Sequence, residues 1–288
     1  MLSYPVYLLL SPFFEIRFYK LVSHTTVFCG LLFGVLYLKL SHLSLAALGF
    51  NVRRGDWLPG LLSAFAAGAL ILVVIEASLY VLGMRLPDPD MGAGLVPFLI
   101  IALKALLSGF VVGLIEETIF RGAIFSGLAR QINITAALLL SSLVYAAVHF
   151  IKYPALPANT DVGWFTGLWI LVNGLHRFSD PVTVDSFITL FILGILLGMV
   201  RWRTGNITQC IGLHAGIVCA YKITSYLSDY RPGSSFGYLV NNYDHTTGYL
   251  ASIWLCVAVI FYYVVAFKQI QPGSNNHEQN KIRELDGS

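Results

Sequence analysis

Apolar residues in this chain come in long unbroken blocks, not in alternation. Clear blocks cover residues 21–48, 57–84, 96–128, 134–150, 182–200, 206–227 and 249–270. A helix needs about 20 apolar residues to cross a bilayer, so each block predicts a membrane span. A shorter block at 4–16 predicts an interfacial segment or the start of the first span. Alternating ten-residue segments, the mark of a membrane β-barrel, are absent from the sequence. The pattern therefore predicts an all-α, polytopic membrane protein with about 7–8 transmembrane helices.

Polar punctuation separates the blocks. Asn51-Val-Arg-Arg-Gly ends the first, and Trp57 opens the second as an interfacial anchor. The run Arg85-Leu-Pro-Asp-Pro-Asp-Met-Gly predicts a loop. The block at 96–128 is longer than one span needs and predicts a tilted or extended helix. Residues 151–181, with Trp164, Phe165, Trp169, Asn173 and His176, form a connector longer than two helices need, a candidate substrate gate or membrane-surface helix. Asn206 is placed as a helix N-cap. Residues 228–248 predict a polar loop, and the tail from Gln271 a disordered segment. Arg53, Arg54, Arg130, Arg201, Arg203 and Lys268 fall on one side if the spans alternate. Arg85, Lys152, Arg177 and Arg231 fall on the other, mixed with aspartates. That bias predicts a cytoplasmic tail and an external 151–181 connector.

Composition agrees with the pattern. Hydrophobic residues are 57% of the chain and charged residues 11%, and the net charge of +3 is spread out. Nothing here suggests nucleic acid. Cys29, Cys210, Cys219 and Cys256 lie in apolar blocks without metal-type spacing and read as buried thiols.

Charge inside an apolar block is costly and usually functional. Val111-Val-Gly-Leu-Ile-Glu-Glu-Thr-Ile-Phe-Arg-Gly holds two glutamates and an arginine. Glu117 and Arg121 are i and i+4 and can face each other, while Glu116 points roughly 100° away on the same helix. One carboxylate is then neutralised and its neighbour left to face a polar cavity; a structural ion pair with one spare carboxylate accounts for this stretch equally well. Two histidines change the balance. At 1.5 Å per residue, Glu116, His149 and His214 lie roughly 18, 22 and 12 Å from the same ends of their helices, so all three fit one membrane layer. Glu76 and Lys104 lie at similar distances from one loop and are expected to pair structurally across adjacent helices.

Glu116-Glu117-x-x-x-Arg121, then Tyr145-x-x-x-His149, then His214 in Gly205-Asn-Ile-Thr-Gln-Cys-Ile-Gly-Leu-His-Ala resemble the three motifs of the CPBP intramembrane proteases, the CAAX-protease or Abi family. The resemblance covers about residues 95–222 and implies a CAAX-protease-like helical core. It implies Glu116, His149 and His214 as catalytic residues, with Glu117, Arg121 and Tyr145 supporting them. Two positions depart: Tyr145 stands where the second motif usually begins with Phe, and Val218 where the third usually ends in Asn or Asp, a residue that helps stabilise the oxyanion in the family scheme. Tyr145 and Asn173 are candidate substitutes for that donor.

The reading that follows is an intramembrane endopeptidase in which Glu116 activates water. One histidine orients the water and the other donates to the oxyanion. Zinc on Glu116, His149 and His214 is the alternative use of the same donors; the metal-free scheme is preferred. The expected divisions are N-terminal helices at 1–94, the catalytic core at 95–227, a loop and last span at 228–270 and the tail at 271–288. The expected partners are the bilayer and a peptide or membrane-protein substrate, and the expected location is a bacterial inner membrane. A non-catalytic scaffold or immunity protein is the main competitor. A proton-coupled transporter is a weaker one, because no inverted repeat is present.

Overall fold

The computed structural model describes residues 2–40, 44–51, 55–88, 94–151, 153–157, 160–174, 184–241 and 244–266. Arg53, Arg54, Lys152, His176, Arg177, Lys268 and the tail from Gln271 lie outside these. The elements follow the predicted blocks. They are α1 (Ser3–Leu10), α2 (Phe18–Leu40), α3 (Trp57–Val81), α4 (Leu95–Glu117), α5 (Ser126–Gln131), α6 (Ile134–His149), α7 (Thr166–Gly174), α8 (Val184–Thr204), α9 (Thr208–Leu227) and α10 (Tyr249–Ala266). A π-helical segment, Thr118–Phe125, joins α4 to α5 without a break, so residues 95–131 form one helical rod. Among the described residues, five helices are long and apolar enough to span a bilayer: α3, that rod, α8, α9 and α10; α6 is apolar but shorter. The protein is an integral membrane protein. Five of the expected 7–8 spans are found among the described residues.

Helix α9 is the hub. It packs against α3 on one side and α4 on another, while α8 packs against α6 and α10 and meets α9. Helices in lipid gain little from burying apolar surface against each other, so close backbone approach matters more. Three pairs of glycines four residues apart provide it. On α9, Gly212 and Gly216 lie directly against the Leu61 and Phe65 carbonyls of α3. On α4, a Cβ at Gly109 would sit 2.7 Å from the Ala215 carbonyl oxygen, and one at Gly113 would sit 3.1 Å from that of Ile211. On α8, Gly194 and Gly198 lie against Ser142 and Leu138 of α6. Gly68 of α3 completes the set by meeting the Leu213 carbonyl.

Three expectations change. Arg85–Pro87 is a strand, β1, not a loop; it pairs antiparallel with β2, Ser228–Tyr230, inside the stretch expected to be irregular. Its Pro87 stands at the strand end, where a missing N–H costs little. Glu76 does not pair with Lys104, which is exposed. Its carboxylate instead meets the Arg85 guanidinium at 3.1 Å, both nearly fully buried. Arg85 also donates to the Ser228 carbonyl and to Thr246 Oγ1, and Thr246 in turn donates to Glu76. The 228–248 loop is thus fastened to α3 by buried polar groups. Asn206, expected as the N-cap of α9, lies one residue before it, Ile207 being the N-cap, yet its Oδ1 still accepts from the Thr208 and Gln209 amides.

The tight α3–α9 contact predicts a large effect from a small change. Gly216→Val puts side-chain atoms into the Phe65 carbonyl, and overpacking of this kind costs about 1–3 kcal/mol or more. Gly127→Ala, where nothing lies within 4 Å of a Cβ, is the control. Thermal unfolding in detergent should show a clear loss for the first and none for the second. Equal midpoints would mean that α9 is not held this way.

Candidate active site

The glutamate stretch leaves α4 at Glu117 and enters the π-helical segment. A π turn is wider than an α turn and often marks a functional site. Ser126 closes it by donating from Oγ to the Arg121 carbonyl, five residues back. Glu117 is fully buried, and its Oε1 accepts from Arg121 Nη1 at 3.0 Å. The predicted i, i+4 pair is therefore formed. Arg121 is equally buried and donates again, from Nη2 to the Gly194 carbonyl on α8. Its guanidinium lies 4.4 Å from the centre of the Tyr145 ring. Tyr145 stacks edge-on with Phe120 and His149, so a single aromatic ring from α6 joins the ion pair to a histidine.

His214 reaches Glu117 from α9. Its Nδ1 is 2.7 Å from the same Oε1 that Arg121 holds. A carboxylate paired with arginine is ionised and only accepts, so Nδ1 carries the proton here. His149 is fixed in the same sense. Its Nδ1 is 2.7 Å from the Tyr145 carbonyl, which also can only accept. Both rings consequently turn Nε2 toward Glu116. Glu116 Oε2 lies 3.6 Å from His149 Nε2 and 3.8 Å from His214 Nε2. It is buried and has no hydrogen-bond partner among the described residues. About a quarter of the Glu116 and His149 side chains is accessible, against 5% for His214. Of the three, His214 thus forms the inner wall, and Glu116 and His149 the accessible side.

Every residue expected at the site is therefore found together: Glu116, Glu117, Arg121, Tyr145, His149 and His214. The separate depth estimates converge because the glycines of α4 bring α9 close enough for His214 to reach across. Contacts of 3.6–3.8 Å are too long for direct hydrogen bonds, so Glu116 Oε2 and the two Nε2 atoms are left open to a third group. The donor chemistry of one carboxylate and two imidazoles is what zinc accepts. However, no group of three His, Cys, Asp or Glu side chains among the described residues is placed to hold a metal ion. The scheme proposed below is the one that the chain's own groups can carry.

Other expectations resolve differently. Val218 follows His214 by one turn and is half-buried, so that position offers no polar group. Asn173 does not replace it: its amide donates to the Trp169 carbonyl of its own helix. The connector does not stand alone either. Ile170 of α7 packs with Phe18 and Val22 of α2, and Tyr4 of α1 meets Trp164 edge-on.

Arg201, one of the basic residues assigned above to one side of the membrane, is 8% exposed. It donates to the Arg121 carbonyl, to Ser126 Oγ and to the Ala47 carbonyl. It thereby ties the π-helical segment to the turn Ala46–Phe50, where Gly49 at φ +94° leaves room for the guanidinium. Neither Arg201 nor the Gly194 carbonyl has a sequence signature. The paired glycines do have one, Gly-x-x-x-Gly within apolar blocks, and it could have been read.

Comparison with known proteins gives one family. Residues 98–220 match the family model described as type II CAAX prenyl endopeptidase Rce1-like. No curated protein and no solved structure matches the chain.

The buried charges predict an asymmetric response. Arg121→Met leaves Glu117 without its cation; breaking a buried pair this way costs about 3–5 kcal/mol. Adding Glu117→Gln to that variant should restore a large part of the loss, because no charge remains to be neutralised. Unfolding of the single and double variants in detergent decides it. A double variant as unstable as the single one would refute a charge-based cost.

Proposed function

We propose, from the match of residues 98–220 to the Rce1-like type II CAAX prenyl endopeptidase model, that the protein is an intramembrane endopeptidase whose catalytic residues are Glu116, His149 and His214. One observation carries the reading: a buried, unpartnered carboxylate oxygen faces the Nε2 atoms of two histidines whose other nitrogens are already committed.

The reaction follows from the proton inventory. A water between Glu116 and His149 donates one hydrogen to Glu116 Oε2 and one to the free lone pair of His149 Nε2. Its oxygen then attacks the peptide carbonyl carbon while Glu116 takes the proton, as a general base. Negative charge develops on the carbonyl oxygen. His214 is suited to receive it: as an imidazolium it donates from Nε2, and Glu117 beside Nδ1 stabilises that cation, the orienting role a carboxylate plays for histidine in a hydrolase triad. Arg121 keeps Glu117 ionised and in place. The C–N bond breaks as Glu116 returns its proton to the leaving nitrogen, giving one acid and one amine.

Val218 bears on the rate. The family scheme has an amide or carboxyl side chain there, and one lost oxyanion donor costs about 2.7–4 kcal/mol. This supports a slow enzyme. It also favours the second reading, a non-catalytic scaffold that keeps the residues as a buried network. We further infer a substrate that is a peptide segment of a membrane-associated protein. A bacterial inner membrane with a cytoplasmic C-terminal tail is part of the same proposal.

Two variants separate the readings. Membranes containing wild type or Glu116→Gln are compared by quantitative proteomics of protein termini. General-base loss should suppress at least one terminus by about 10²–10⁴-fold. With that substrate in hand, Val218→Asn should raise kcat by up to about 10²-fold. Identical terminus profiles for wild type and Glu116→Gln would remove the protease reading in favour of the scaffold.

A further inference from the structure

Helices α3 and α10 leave a groove between them. Near one end they are joined, where Trp254 Nε1 donates to Ser78 Oγ at 3.0 Å. Beyond that bond the groove, of about 550 Å³, is floored by α8 and α9. The volume is within the range of small-molecule sites. Its lining is almost wholly apolar: Ala64 and Ala67 from α3, Leu196 and Val200 from α8, Leu213 from α9, and Trp254 and Tyr262 from α10. Alanine spacing on α3 creates the concavity, since larger side chains at 64 and 67 would close it. The walls belong to helices long and apolar enough to span a bilayer. At that depth water is absent, so an open apolar recess is filled with hydrocarbon.

The groove also has a polar end. Leu196, Val200 and Arg203 follow one another at i, i+4 and i+7 on α8 and share one face. Arg203 is exposed and sits at the end of that stripe opposite the Trp254–Ser78 bond. Its Nε donates to the Ala266 carbonyl at the last residue of α10. Ala266 lies one helical turn beyond Tyr262, a lining residue, which places the Arg203 charge at this end of the groove. A cation at the mouth and hydrocarbon along the length match an acyl chain with a phosphate at its head. The one acidic residue near this end of α3, Asp56, is exposed and lies two turns before Ser63, the first lining residue.

We propose that the α3–α10 groove binds one bilayer phospholipid, with an acyl chain against Ala67 and Leu213 and its phosphate at Arg203. This site is separate from the proteolytic one and does not depend on that reading. Leu213 precedes His214 on α9, so the bound chain supports the helix that carries the inner wall of the active site.

Trp254 is the reporter. The full chain in detergent is titrated with phosphatidylglycerol brominated along its acyl chains, and the quenching lost in Trp254→Phe is taken as the groove signal. Wild type should show a signal that saturates at one lipid per chain. Ala67→Phe places a ring in the groove from an exposed position, so the fold is kept and the saturating signal should vanish. Arg203→Gln should weaken binding by about two- to fivefold, the range of an exposed charge pair. Brominated diacylglycerol, which lacks the phosphate, should bind correspondingly less well. Quenching that rises in proportion to lipid and is unchanged in Ala67→Phe would overturn the site. So would a saturating signal indifferent to Arg203 and to the phosphate, or one displaced by an isoprenoid alcohol and not by unlabelled phospholipid. None of these readouts requires proteolysis, so the two proposals fail independently.

Discussion

A carboxylate with no access to solvent must find its positive charge inside the protein, and Glu117 is such a group. Its solution decides much of the rest. Arg121 supplies the charge from one turn away, but a guanidinium has five donors, and several must also be met in a buried place. The Gly194 carbonyl and the Tyr145 ring do so, drawing α8 and α6 to the same point. His214 completes the carboxylate's partners and draws in α9. Four helices thus meet on one ionised oxygen pair, and Glu116 is left over because its neighbour has absorbed the available partners.

The glycines and the charge depend on each other. A polar cluster of this kind tolerates little error in helix separation, because a displaced partner leaves a buried group unsatisfied. Small residues at four-residue spacing bring α9 against α3 and α4, and α8 against α6, to backbone contact. The packing is thereby set by atoms that cannot change rotamer. The Arg201 guanidinium has a comparable role at the far end of the π-helical segment, where it holds three acceptors from two separate stretches of chain.

Most of the fold was legible because the bilayer imposes it: apolar blocks of fixed length, separated by polar punctuation, map almost one to one onto α3, the α4–α5 rod, α6, α8, α9 and α10. The site was legible because charged residues in such blocks are rare and stand out. Glu76 shows where this reasoning stops. Its partner was sought at matching depth on a neighbouring helix, and Lys104 fitted. The true partner, Arg85, lies just beyond the end of the same helix, in a strand too short to have a period. The burial of Arg201 was hidden for a related reason. Basic residues at block ends usually face headgroups, and only the folded Ala46–Phe50 turn reveals that this one is covered. Tyr145, a mild departure from the family motif, proved to be the ring that links arginine and histidine.

The π-helical segment adds a consequence of another kind. Each π turn takes up one residue more than an α turn, so everything after Glu117 is rotated relative to where an unbroken α-helix would have put it. The aim of Arg121 and the reach of Ser126 back to its carbonyl are therefore matters of counting as well as chemistry. The site is encoded partly in the number of residues between two points. A chain one residue shorter there could keep every functional side chain and still present them to the wrong neighbours.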